Sequence, residues 1–217
     1  QQWAKMVKRE MPVYFWVRLL AFADSILPLK GSNLEPPGVM QKIHSRDVDG
    51  SILNSDFSFG FTEKEVNSVK SWLYKKGWRD GEKIVCVLVR DNTYLKTELN
   101  TRDWSYHDYR NSNIANYVPA MEMLAERGYW VFRMGKVMNA PVSSAEKRVV
   151  DFAFDSERSD LIDVWLFANC SLCISTGTGP DTISDVYRRD ILHLNYLPLT
   201  HMWSWSKAMY APKKLYW

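Results

Sequence analysis

Six consecutive apolar residues, Ile84-Val85-Cys86-Val87-Leu88-Val89, limit the fold more than any other stretch of this chain. A strand with one wet face alternates apolar and polar side chains. An unbroken apolar run instead belongs to a strand covered on both faces by helices. The neighbouring segments obey the same rule. Thr62 and Glu65 form a capping box, with Phe61 and Val66 at the positions of a hydrophobic staple, so a helix starts there, runs to Lys76 and stops at Gly77. Further strands are predicted over 129–134, 149–152 (weaker, at an edge), 172–175 and 191–195. Between them, Ile114, Tyr117, Val118, Met121, Leu124 and Ala125 mark a helix ending at Gly128. Leu161, Val164, Trp165 and Ala168 mark another, capped by Ser159, and a third runs from Pro180, at a first helical position, through Tyr187. Strands alternating with helices predict an α/β fold, a doubly wound, Rossmann-like parallel sheet.

The organisation before residue 61 is different. Val13, Trp16, Val17, Leu20 and Leu27 recur at helical spacing, which predicts an amphipathic helix over 13–27 ended by Pro28 and Gly31. Residues 30–60, with Gly31, Pro36, Pro37, Gly38, Gly50 and Gly60, read as an irregular connector. The expected division is therefore 1–60, helix and connector, and 61–217, Rossmann-like domain; within the latter, 91–112 reads as a long polar loop. Lys5, Lys8 and Arg9 precede an apolar run over 11–20, and Ala21-Phe22-Ala23 mimics a signal cleavage site, but Arg18 interrupts the run. It is also too short and too charged for a membrane span, which needs roughly 20 apolar residues. A chain that opens on Gln1 is expected to be processed or truncated, the latter part of a longer protein.

Composition removes several function classes. The net charge of +3 comes from 28 basic against 25 acidic residues with no long like-charge run, which argues against nucleic-acid binding yet suits a locally basic cleft. Three cysteines make no disulfide framework, so a reducing, cytoplasmic setting is expected. Cys170 and Cys173 straddle a predicted strand and lack a second pair, which favours structural burial over metal or redox use. His44, His107, His193 and His201 are too scattered for a metal site, and His193 falls in a strand. There is no Walker lysine and no GxSxG elbow, and Gly177-Thr178-Gly179-Pro180-Asp181-Thr182 is not a full GxGxxG, so a nicotinamide cofactor is not expected.

In a doubly wound sheet ligands bind beyond the carboxyl ends of the strands, near the switch in strand order. Those ends carry Val89-Arg90-Asp91, Arg133-Met134-Gly135, Asp155 and Glu157, Ser175-Thr176-Gly177-Thr178-Gly179, and Asn195-Tyr196. The turn from Ser175 to Thr182 joins a buried strand to a helix start through two glycines, which allow a sharp turn and close approach of a ligand. Free N–H groups and the helix dipole there would suit a phosphate. Arg90 and Arg133 would add planar forks able to grip phosphate oxygens in pairs. A lone arginine at a strand end can equally be a solvated terminus; two beside the glycine turn favour anion binding. Asp181 either caps the helix or points toward ribose or sugar hydroxyls, and capping is favoured. Arg188 and Arg189 complement the dipole at the helix end.

Tyr109-Arg110-Asn111-Ser112-Asn113-Ile114, Tyr117-Val118-Pro119-Ala120, Gly128-Tyr129-Trp130-Val131-Phe132-Arg133-Met134-Gly135, Ile174-Ser175-Thr176-Gly177-Thr178-Gly179, Tyr187-Arg188-Arg189 and Asn195-Tyr196-Leu197-Pro198-Leu199 resemble a family of bacterial proteins regarded as glycosyltransferases. The resemblance covers roughly residues 60–217. It implies GT-B architecture, two Rossmann-like domains with the cleft between them, of which this chain is similar to the donor-binding C-terminal half. The acceptor-binding, N-terminal domain would then be absent or reduced. More distantly the chain resembles fucosyltransferase-like enzymes, in which an arginine after the first strand of this domain contacts the donor β-phosphate. Arg90 stands there, although Leu88 and Val89 occupy the place of the usual preceding histidine.

The resemblance implies transfer of a sugar from a nucleotide-diphosphate sugar to an acceptor hydroxyl, with no metal and no cofactor beyond the donor. Cationic side chains and a helix dipole would stabilise the departing diphosphate, and a single such donor group can matter by ~10²–10³ in rate. The expected donor site is Arg90, Arg110, Asn111, Arg133, Gly135, Ser175, Thr176, Gly177, Thr178, Gly179, Asp181 and Thr182, with Arg110 and Asn111 entering through the matched motif. Asp91, just past the strand end, is the candidate base; an Asp that faces solvent or pairs with arginine is the alternative. Two rivals stand: a non-catalytic nucleotide- or sugar-binding module of a larger assembly, and another two-domain transferase or epimerase.

Overall fold

The computed structural model describes residues 60–99 and 103–215, together with 18–20, 22, 23, 26, 47, 50 and 52–54. The chain divides into two compact units, Gln1–Arg46 and Asp47–Trp217. In the first, residues 18–20, 22, 23 and 26 are helical, in keeping with the helix expected over 13–27; the rest of that helix, residues 30–46 of the connector and His44 lie outside the described residues. The second unit starts before residue 61, and Asp47 gives the reason. Its carboxylate accepts from the amides of Ile52 (3.2 Å) and Leu53 (2.8 Å), and its own amide donates to Ser204 Oγ at 2.6 Å. The end of the connector is thereby tied to the domain. Among the described residues no helix is long and apolar enough to cross a membrane.

The second unit is an α/β fold with a six-stranded, wholly parallel sheet. Its strands are β1 (Ile84–Leu88), β2 (Trp130–Arg133), β3 (Val149–Val150), β4 (Leu172–Ser175), β5 (Asp190–Leu194) and β6 (Met209–Ala211). They lie in the order β3-β2-β1-β4-β5-β6, so the chain winds from β1 to one edge and then back to β1's other side. Every residue of β1 is buried, as its unbroken apolar run requires. β3 is an edge strand as expected. β6 was not expected: three residues ahead of Pro212 are too few for a periodic signal.

Among the described residues the second unit has five α-helices, the first and fourth of which carry side-chain N-caps. α1 (Glu63–Lys76) opens on Thr62, whose Oγ1 accepts from Glu65 N while the Glu65 carboxylate accepts from Thr62 N, and it stops at Gly77 with φ 107°. Phe61 stacks on Tyr187 at 5.8 Å. α2 (Thr93–Glu98) and a two-turn 3-10 helix, Ser105–Arg110, occupy what reads in the sequence as loop. A 3-10 turn, Ile114–Tyr117, leads into α3 (Val118–Glu126). α4 (Asp160–Asn169) is capped by Ser159 as expected, and α5 (Asp181–Val186) has Pro180 at its N-cap rather than at its first helical position. Tyr117, Met121 and Ala125 cluster with Val85, Val87 and Val131 on one face of the sheet. Trp72 of α1 lies against Phe132 (5.8 Å) and Phe152 (5.2 Å). Each fully buried side chain of this size contributes about 1.5–3 kcal/mol.

Candidate functional site: two guanidinium groups without a counter-ion

The reversal of strand order falls between β1 and β4, and the residues leaving these two strands are fastened together. Arg90 donates its amide to Thr176 Oγ1 at 2.8 Å, and its carbonyl accepts from Ser112 N at 2.9 Å. This staples the end of β1 to the end of β4 on one side and to segment 111–113 on the other. The 3-10 helix delivers Arg110 to the same place, where its Nη2 donates to the Gly177 carbonyl at 2.8 Å.

Charge distribution makes this junction unusual. Among the described residues the Arg90 guanidinium has no hydrogen bond and no ion pair, and its Nε is buried without a partner; the Arg110 Nε is likewise buried and unpartnered. Burial, and next the charge of Arg110, hold the Arg90 pKa below its ordinary value, while Tyr109, Asp108 and Asp91 act in the opposite sense. His107 is held below its usual range by burial and then by Arg110 and Arg90, which leaves it neutral at pH 7. The carboxylates nearby are engaged elsewhere: Asp108 Oδ1 accepts from Asn92 Nδ2 (3.1 Å) and Asn111 Nδ2 (2.9 Å). Two half-buried cations that repel each other are costly unless an anion joins them.

The structure rearranges the expected site in four ways. Arg133 is 0% exposed and donates to Asp151 Oδ1 at 3.0 Å and to the Ala140 carbonyl at 3.2 Å, over the ring of Phe154. The register explains it, because Arg133 stands level with Val87, inside the sheet rather than beyond its rim. It is a core ion pair, not a phosphate ligand.

The turn after β4 uses its own amides. Gly177 N donates to Ser175 Oγ (3.1 Å), Thr178 N to Asp181 Oδ2 (2.9 Å), Asp181 N to Thr178 O (3.2 Å) and Thr182 N to Gly179 O (3.3 Å), and Thr182 Oγ1 donates to the same carbonyl. No row of free N–H groups therefore converges on a ligand, and α5 is only six residues long. Asp181, 6% exposed, holds this turn from within: it also accepts from Ser175 Oγ at 2.6 Å, and burial raises its pKa to about 6. Its side chain closes the turn rather than capping α5.

Asp91 is fastened too. Its Oδ1 accepts from Thr93 N (2.9 Å) and its Oδ2 from Asn139 N (3.0 Å), so both carboxylate oxygens are spent on ordering the chain on either side. Gly135, with φ 143°, is a backbone requirement, since a Cβ there would stand 2.5 Å from Met138 Sδ. Gly177, with φ 77°, is another, with the Tyr196 ring 2.9 Å from a Cβ. Thr176 binds Arg90, and Gly179 lends its carbonyl to Thr182.

Of the expected residues, then, the structure brings together Arg90, Arg110, Thr176, Gly177 and Asn111. It adds His107, which the scatter of histidines hid. Segment 111–113 is a ridge between two cavities. One, about 390 Å³, reaches Asp91, Asn139 and Ala140; the other, about 600 Å³, lies at the ends of β5 and β6. His193 is in β5 as expected, stacked on Tyr210 at 4.9 Å, with its pKa lowered by burial to about 4. Cys170 and Cys173 are buried. No family model, no curated protein and no solved structure matches this chain.

Proposed function

We propose that the chain binds the diphosphate of a nucleotide-sugar through Arg90 and Arg110 and serves glycosyl transfer as the donor-binding half of a GT-B-type enzyme. The half-buried guanidinium pair at the β1–β4 switch point, neither member in an ion pair among the described residues, carries this reading. A diphosphate has the charge to relieve the repulsion between the two arginines and the oxygen geometry to meet two planar forks. In transfer the same pair would hold the charge that develops on the departing nucleoside diphosphate, electrostatic work that needs no metal ion. Neutral His107 stands at the same place but is a weak base between two cations.

The fastening of Asp91 favours a second reading, a module that binds the donor without transferring it alone. A base to accept the acceptor proton would then come from another domain.

Calorimetry with UDP, GDP and CDP, followed by an assay of nucleoside diphosphate release from the matching sugars in EDTA, separates the two readings. Binding that falls in Arg90→Ala and in Arg110→Ala supports the diphosphate site. Release in EDTA adds transfer, and binding without release leaves the module. Affinity for all three diphosphates unchanged in both variants removes the proposal.

A further inference from the structure

We infer that the cavity of about 600 Å³ at the carboxyl ends of β5 and β6 is a second ligand site, for a hydroxyl-rich ring bearing one anionic group: a sugar acid or a sugar phosphate. Its size falls within the range of small-molecule pockets, and its place at strand ends is where doubly wound sheets bind ligands. Neither Arg90 nor Arg110 lines it.

The single charged residue of its lining is Lys213. Burial holds the Lys213 ammonium below its usual range, and its one partner among the described residues is the Asn111 carbonyl at 3.2 Å. An ammonium has three N–H groups, so two are left to water or a ligand, and no carboxylate lines the cavity to take them. A lysine is a compact point charge without the arginine fork, which fits one carboxylate or one phosphate group better than a diphosphate.

Three of the remaining polar side chains, Asn111, Asn113 and Asn195, are amides with one half already engaged. Asn195 Nδ2 donates to Tyr117 Oη at 2.8 Å, which leaves its Oδ1 to accept. Asn113 Oδ1 accepts from Ala115 N at 3.0 Å, which leaves its NH₂ to donate. Asn111 Oδ1 is buried without a partner. The lining thus offers at least one free amide donor and one free amide acceptor, a mixture that sugar hydroxyls, each both donor and acceptor, can meet. Leu194, Ala211 and Pro212 supply an apolar surface for the C–H face of a ring. The inference stands without the glycosyl-transfer reading; if both hold, this ring is the acceptor.

Saturation-transfer NMR and calorimetry on the full chain test it, with D-glucuronate, glucose 6-phosphate and glucose as probes. One of the two anions is expected to bind at least about tenfold tighter than glucose, the scale of one hydrogen bond to a charged group. The two anions distinguish a carboxylate site from a phosphate site. Lys213→Met is expected to erase that preference. Ala120→Trp, on the exposed face of α3 at the cavity wall, is expected to block all three ligands even if Lys213→Met fails to fold. Arg90→Ala is expected to leave the preference in place. Equal binding of anions and glucose, an anion preference that survives in folded Lys213→Met or in Ala120→Trp, or its loss in Arg90→Ala would each overturn the inference.

Discussion

Arg133 and Arg90 stand on neighbouring strands of one sheet, and their surroundings are opposite. Arg133 ends β2 level with Val87 and lies fully buried against Asp151, its charge matched inside the core. Arg90 follows β1 past the last sheet residue, half-buried, unmatched, and beside a second arginine. The difference is a matter of depth and counter-charge. A cation three residues farther along a strand passes from the closed interior, where it holds the fold together, to the rim, where its charge is left without a counter-ion.

Substitutions should separate the two roles. Arg133→Ala is expected to leave Asp151 without its counter-ion and cost about 3–5 kcal/mol, a fall in thermal midpoint of roughly 6–20 °C. A loss under ~1 kcal/mol would erase the contrast. Asp181→Asn probes the other closed region, the turn after β4. The Asp181 pKa rises from 3.8 to about 6 on folding, so the folded state favours its protonated form. Its contribution is present below pH 3.8 and lost as pH rises through 6. The stability of wild type relative to Asp181→Asn should therefore fall by up to about 3 kcal/mol between pH 4 and 6 and stay level above pH 7. Denaturant melts across that range read the slope, and a flat difference would show that the carboxylate is not strained by burial.

At the rim the effects move to binding. Arg90→Ala should weaken a nucleoside diphosphate by about 1.5–3 kcal/mol, roughly 10- to 150-fold, and shift stability by less than ~1 kcal/mol, because the lost guanidinium makes no bond. A large loss of stability with intact binding would reverse the assignment. Arg110→Ala, which gives up the bond to the Gly177 carbonyl, should cost a modest stability, about 0.5–1.5 kcal/mol, in the same denaturant experiment.

The layered fold was legible because its signals are local. The run from Ile84 to Val89 announces a central strand, and Thr62, Glu65, Ser159 and Gly77 mark helix ends through bonds that span three or four residues. β6 escaped because three residues, Met209-Tyr210-Ala211, carry no period of their own and gain strand form by pairing with β5. The site was legible only in part for a related reason. Arg133 reads as a strand end from its own segment; only the register against β1 reveals that it lies inside. Likewise the glycines after β4 read as an open phosphate turn, yet Ser175 and Asp181, residues of that same stretch, fold back and occupy its amides. Arg110 entered through its resemblance to a family motif, since nothing in its own segment says that a 3-10 helix will carry it to Gly177.

The order β3-β2-β1-β4-β5-β6 has a consequence for how the domain comes together. Domains generally fold as units with the earlier segments first during synthesis. Here β2 and β3 add outward from β1, and then β4, β5 and β6 add outward on its other flank, so each newcomer joins a border already in place and none is inserted between two joined strands. A ribosome releasing this chain hands out every strand after its docking partner has emerged.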